Sequence, residues 1–273
     1  MAAIATPTRR ILCILDLNGV MLARLNPQEH KLARTAAAAA GRDLPPRAGS
    51  VGKRPVFVRP FSTHFTNLLL DGGVPGIDVA VWTSAAPANA RKLADLVLGS
   101  GDGRSDKFAF VWSRDQCTAV DERGLPWATI KDLRNVYKAF PHHTPATTLI
   151  VDDSLSKCRL NPANALLVPS WNLVDPQENE VEDPNLDTTL VDLLAYLKVM
   201  QRSAPSDVRE YIAARPFANA TRVRANGGQG IGPGAPIVTY VANRHPTWEV
   251  VAGSEVPKFL SWFWKRVLTS NEC

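Results

Sequence analysis

Five short runs of almost unbroken apolar residues, spaced by helical patterns, constrain this chain more than any other feature. They are "ILCILDL" (Ile11–Leu17), "GIDVAVWTSA" (Gly76–Ala85), "FAFVWSR" (Phe108–Arg114), "TTLIVDDS" (Thr147–Ser154) and "NALLVPSW" (Asn164–Trp171). A strand that is apolar along its whole length is buried on both faces, which is the habit of parallel sheets. Between these runs, "HKLARTAAAAAGRDLPPR" (His30–Arg47) reads as an alanine-rich helix stopped by Gly41 and a Pro-rich turn. "VGKRPVFVRP" (Val51–Pro60) is extended, and "FSTHFTNLLLDGG" (Phe61–Gly73) places Phe61, Phe65, Leu68 and Leu69 on one helical face. "PANARKLADLVLG", "LRNVYKAF" and "LDTTLVDLLAYLKVMQR" complete the helices. The alternation predicts an α/β fold, a doubly wound, mostly parallel sheet with helices on both faces, over residues 1–202.

Residues 203–273 have a different texture and read as a C-terminal extension. "GGQGIGPGAP" (Gly227–Pro236) is a flexible connector, because no strand feeds it and no helix follows. "PIVTYVANRHPTWEVVAG" (Pro236–Gly253) reads as two strands around a turn, and Ser254–Leu268 as a helix with Ser254 at its N-cap. That helix carries Phe259, Trp262 and Trp264 on an apolar arc wider than a surface helix needs. Docking on the chain's own surface is the simpler account. A partner-binding role for Phe259, Trp262 and Trp264 is the sharper one, because Trp is enriched in interface hot spots.

The net charge of +5 suits an anionic partner such as a phosphoprotein; an RNA or ribonucleoprotein partner rests on that charge alone. The four cysteines, Cys13, Cys117, Cys158 and Cys273, form no CxxC pair. That argues against zinc and a disulfide framework, and for a reducing, intracellular compartment, with nucleus, cytoplasm and mitochondrion not distinguished. No apolar run approaches a membrane span, and the ten residues before the first strand leave little room for a cleavable leader.

In doubly wound sheets, ligands sit at the carboxyl ends of the strands. Asp16, Thr83 and the Asp152–Asp153 pair all fall there. Each alone has a plainer account: Thr83 as a strand-end hydroxyl, Lys131 as a solvated amine, Asp152–Asp153 as a helix cap. Their joint order is more specific. Asp16-Leu-Asn18-Gly-Val20, then "VRPF", "VAVWTSA", "VWSRDQC", "TIKDL" and "LIVDDSLSKCRLNPANALLVPSW" resemble the haloacid dehalogenase superfamily. Within it the chain is similar to the carboxy-terminal-domain phosphatases, also called NLI-interacting-factor-like phosphatases, a branch that includes a mitochondrial inner-membrane translocase subunit. The resemblance spans about Ile11 to Met200.

A strand-end carboxylate can attack phosphorus in line, with a magnesium ion to quench repulsion, and form an aspartyl-phosphate. Asp16 is the candidate nucleophile. Mg2+ takes oxygen ligands, which Asp16, Asp153 and Asp152 supply; the resemblance implies that the backbone carbonyl of Asn18 joins them. It also implies that Thr83 holds a phosphate oxygen and that Lys131 neutralises nucleophile and phosphate. Arg59 serves packing or phosphate steering, and Arg114 lies near the substrate channel. His142 and His143 read as surface residues of a polar loop. The departure is Asn18. Active members carry an aspartate there as general acid and base, and an amide has no titratable proton. Such a loss costs about 10²–10⁴ in rate. Neither Val20–Arg59 nor Ser84–Lys131 is long enough for a full cap domain, and an open site suits a protein substrate or partner. Two readings follow: a slow Mg2+-dependent phosphoserine/phosphothreonine phosphatase, or a pseudophosphatase serving as a binding subunit of a larger, even mitochondrial, assembly.

Overall fold

The computed structural model describes residues 9–99, 104–121, 128–174, 183–217, 238–241 and 247–250. The chain runs β1 (Ile11–Leu15), β2 (Leu22–Arg24), α1 (Pro27–Ala39), β3 (Arg47–Val51), β4 (Arg54–Val58), α2 (Ser62–Leu70), β5 (Ile77–Trp82) and α3 (Pro87–Leu98). It continues through β6 (Val111–Trp112), β7 (Thr118–Ala119), β8 (Thr129–Ile130), α4 (Leu133–Ala139), β9 (Thr148–Asp152), β10 (Ala165–Leu167), α5 (Thr189–Ser203) and α6 (Val208–Ala214). A hairpin of β11 (Val238–Val241) and β12 (Thr247–Val250) follows.

The five apolar runs form one sheet in the order β10-β9-β1-β5-β6, and every pairing in it is parallel. Both central strands, β1 and β9, are buried at every residue, as strands covered on two faces must be. The order reverses at β1, so the crevice outside the carboxyl ends of β1 and β9 is the topological switch point. Leu15 pairs with Val151, and Asp16 N–H donates to the Val151 carbonyl at 2.9 Å. The next residues along the two strands are Asp16 and Asp152, which therefore leave the sheet side by side. On one flank, Trp82 is wholly buried and meets Trp112 edge-on at 5.1 Å, with Phe110 stacked on Phe140.

The segment between the first strand and α2 is more organised than a helix and one extended piece. β2, β4 and β3 make a three-stranded antiparallel sheet, with α1 inserted in it. Cross-strand pairing over long loops is invisible to local periodicity. The helix begins at Pro27, ahead of the His30 expected, because Asn26 and Glu29 form a reciprocal capping box. The third apolar run keeps only Val111–Trp112 as strand, while Phe108 and Phe110 still bury their rings.

Contacts divide the chain into Met1–Ala218 and Asn219–Cys273. The first unit thus runs past residue 202, because α6 belongs to it. Val208, Tyr211 and Ile212 are buried, and Tyr211 meets Tyr196 of α5 edge-on at 5.6 Å. Seven residues with three buried positions give too little periodicity to stand out in the sequence. His143 is a second correction: it is 4 % exposed and faces Asp78, whereas its neighbour His142 is exposed. The glycine-rich connector and the helix carrying Phe259, Trp262 and Trp264 lie outside the described residues. Among the described residues no helix is long and apolar enough to cross a membrane.

The packing of α6 predicts that Tyr211→Ala destabilises the first unit by about 3 kcal/mol. Urea unfolding followed by tryptophan fluorescence measures it; an unchanged midpoint would detach α6 from the unit.

Candidate active site

Three side chains define the centre of the crevice. Lys131 follows β8 and is 1 % exposed; its Nζ donates to Asp16 Oδ1 at 2.5 Å and to Asp152 Oδ2 at 2.7 Å. Its own backbone N–H is tied to the Lys157 carbonyl at 2.8 Å, so the turn after β9 holds the lysine in place. Asp152 Oδ1 accepts from Ser154 N–H at 2.9 Å. Both oxygens of Asp152 are thus engaged inside the protein, one by Lys131 and one by the turn that follows β9. Its work is to anchor Lys131 and the turn.

Next to this cluster, the loop Leu17–Leu22 folds back on itself. Met21 and Leu22 N–H both donate to the Leu17 carbonyl, and Gly19 N–H donates to Leu22. Gly19 has φ 90, and a Cβ there would come 2.0 Å from Asp153 Oδ2, so only glycine lets the loop lie against Asp153. Asn18 is exposed, and its Oδ1 accepts from Arg24 N–H at 2.9 Å, pinning the start of the small sheet to the end of β1. An aspartate could make the same bond, so the amide costs the loop nothing in geometry.

Arg59 resolves toward packing. It is 1 % exposed and grips Asp187 with two hydrogen bonds of 2.8 Å. It also donates to Thr189 Oγ at 2.7 Å and to the carbonyls of Val20 and Pro169 at 3.1 Å each. This guanidinium fastens the loop that follows Asp16, the exit of β10 and the start of α5 together. Its partner Asp187 lies 128 residues away and carries no motif, so local sequence could not announce it.

Thr83 closes the other side. It is buried at the end of β5, where its N–H donates to the Trp112 carbonyl and its Oγ accepts from Ala85 N–H at 3.2 Å. Arg114 is exposed, and its Nε donates to the Ser84 carbonyl at 2.9 Å, which sets it on the loop that follows Thr83. Sequence reasoning missed Ser170, whose Oγ donates to Asp153 Oδ2 at 2.6 Å. A lone serine after a strand has no distinguishing signal.

One lysine serves a crevice with three carboxylates. Burial pushes the Asp16 carboxyl up to about 7 against the pull of Lys131, with Asp152 and Asp153 adding repulsion. Asp153 is likewise raised, first by burial, with the Ser170 hydroxyl opposing. Burial alone would lower the Lys131 ammonium, but the charges of Asp16 and Asp152 outweigh it and hold it above its ordinary value. The crevice is short of positive charge.

A family model described as NLI interacting factor-like phosphatase matches residues 11–209. The chain belongs to that family. It is the branch that the motifs indicated, carboxy-terminal-domain phosphatases of the haloacid dehalogenase superfamily. No curated protein matched the chain by sequence. Among solved structures, the chain is similar to Fcp1, an essential RNA polymerase II CTD phosphatase, at 14% identity and TM-score 0.42, over 81% of this chain and 67% of that one. The fission yeast RNA polymerase II CTD phosphatase bound to beryllium fluoride gives 15% and 0.39, over 80% and 56%. A haloacid dehalogenase-like hydrolase from Xanthomonas campestris gives 13% and 0.39, over 72% and 98%. These likenesses are distant, and family membership rests on the sequence match.

Family members of this kind imply a divalent cation, and the donor set fits one. Among the described residues no three His, Cys, Asp or Glu side chains form a ready-made metal cage. Mg2+ does not require one: it binds through one or two carboxylates and keeps several waters or substrate oxygens. Asp16, Asp153 and the Asn18 carbonyl are hard oxygen donors beside an excess of negative charge, which is the chemistry such an ion relieves.

Because Asp16 holds its proton more tightly folded than unfolded, its contribution to stability is full below the unfolded value of 3.8 and lost as pH rises through about 7. Lys131→Met removes the ammonium bonded to two buried carboxylates. It should cost about 3–5 kcal/mol at pH 8 and distinctly less at pH 5, where Asp16 can protonate. Urea unfolding at both pH values measures this, and equal losses would contradict it.

Proposed function

We propose that the chain is a Mg2+-dependent phosphoprotein phosphatase-like protein that works through an aspartyl-phosphate on Asp16 and turns over slowly because Asn18 stands in the acid–base position. The observation that carries this reading is Lys131, held between Asp16 and Asp152 at the switch point of the sheet. A buried lysine bonded to two buried acids is expensive to maintain, and its retention beside a strand-end carboxylate supports phosphoryl chemistry over a purely structural role.

In this reading a carboxylate oxygen of Asp16 attacks phosphorus, and the serine or threonine oxygen leaves. Thr83 hydrogen-bonds a phosphate oxygen, and Lys131 neutralises charge shared between nucleophile and phosphate. Mg2+, held by Asp16, Asp153 and the Asn18 carbonyl, would supply further charge neutralisation. Arg114, exposed beside Ser84, fits the approach of a phosphorylated segment. The short insertion between β1 and α2 leaves no full cap, which suits a substrate that is itself a protein.

Asn18 slows both halves of the cycle. No acid protonates the departing alkoxide, and no base draws a proton from the water that must cleave the acyl phosphate. An aryl or acyl phosphate, with its better leaving group, should suffer less than phosphoserine. The bond from Arg24 N–H to Asn18 Oδ1 also supports a second reading, in which Asn18 is purely structural and the chain is a pseudophosphatase that binds a phosphoprotein or a protein partner.

An aryl-phosphate assay with Mg2+ separates the two. Asn18→Asp should raise turnover by about 10²–10⁴, because the aspartate keeps the Arg24 bond and adds the proton. Asp16→Asn should abolish turnover. No gain in Asn18→Asp, together with no Mg2+ binding by calorimetry, would overturn the enzyme reading and leave the binding role. Intact mass must accompany the assay, since Asn18–Gly19 can deamidate and mimic the gain.

A further inference from the structure

Asp153 stands half-buried at the rim of the crevice, between the nucleophile loop and the chain leaving β10. Ser170 Oγ donates to its Oδ2 at 2.6 Å. Beside that bond, the backbone of Gly19 lies so close that a Cβ would meet the same oxygen at 2.0 Å and Ser170 Oγ at 3.1 Å. The residues flanking Ser170 are fastened as well. Trp171 N–H donates to the Gly19 carbonyl at 2.7 Å, and Arg59 donates to the Pro169 carbonyl at 3.1 Å. Pro169–Trp171 is therefore a strap bolted to the loop that follows Asp16, with Ser170 at its centre turned onto Asp153.

The terminal torsion of an aspartate is broad and nearly two-fold, so the carboxylate by itself has no strong preference for which oxygen faces where. A short bond from a hydroxyl on a fastened backbone removes that freedom. It holds Oδ2 and so sets the orientation of the whole carboxylate. We propose that Ser170 is the positioning residue for Asp153, fixing its carboxylate so that the chain binds a divalent cation more tightly than Asp16 and Asp153 would alone. Hydrogen-bond partners that orient ligating carboxylates typically raise metal affinity in this way. The inference rests on the Mg2+ reading above and assigns to one serine the strength of that site.

The test uses the full-length chain, stripped of metal and titrated with MgCl2 by calorimetry, with thermal unfolding across the same titration. Ser170→Ala should weaken Mg2+ binding about tenfold, while the melting temperature without Mg2+ stays close to wild type, because the Ser170 side chain is exposed. Ser170→Thr retains the hydroxyl and should restore most of the affinity. Ser156→Ala serves as control, since Ser156 bonds Ser154 and not Asp153. If Ser170→Ala does not fold, Ser170→Cys, a weaker donor of similar size, should give a smaller loss in the same direction. Ser170→Ala, or Ser170→Cys in its place, binding Mg2+ as the wild type does would overturn the assignment and leave the phosphatase reading standing. A wild type that binds no Mg2+ would overturn the metal reading itself, and the assignment with it.

Discussion

A single ammonium group shared by two buried carboxylates is the interaction on which the rest of the structure depends. Lys131 lies between Asp16 and Asp152, and all three are nearly inaccessible to water. Ions so buried are tolerated only when their geometry and remaining hydrogen bonds are close to complete. That demand propagates outward. Asp152 must end β9, Asp16 must end β1, and the sheet must pair those strands in parallel and in register. Lys131 must also arrive from β8 at the right depth, which its bond to the Lys157 carbonyl secures. The sheet order around β1 can be read as the arrangement that brings these three groups together.

Around that centre, a second buried cation works differently. Arg59 touches carbonyls and acids from three separate stretches of chain and leaves nothing for a substrate. A planar guanidinium with five donors suits such bridging, where a lysine could not reach all partners at once. The strap that Arg59 holds is the one that carries Ser170 to Asp153. Chemistry at the rim and packing beneath it are thus joined by two residues on one short segment, Pro169 and Ser170. Asn18 sits within this frame, its side-chain oxygen accepting from Arg24 N–H.

Much of the fold was legible in local pattern. Continuous apolar runs marked the five strands of the parallel sheet, and their carboxyl ends marked Asp16, Thr83 and Asp152–Asp153, because burial on two faces writes itself into consecutive residues. The antiparallel trio β2-β4-β3 and the short helix α6 were not legible. Their strands and turns are brief, and what stabilises them is contact with chain far away in sequence. Lys131 was found by resemblance, while its burial was not, since an isolated lysine reads as solvated until its partners are in place.

The sequence by itself determined the class of fold, the strand ends at which the acids gather and the amide at position 18, because periodicity, strand termini and side-chain identity are local properties. Only the tertiary structure decided that Asp152 is bonded to Lys131, that Arg59 is a clamp, and that Ser170 meets Asp153. The physical reason is the same for each. A hydrogen bond between Arg59 and Asp187, or between Ser170 and Asp153, is specified by distance in space, and nothing in the spacing along the chain records it.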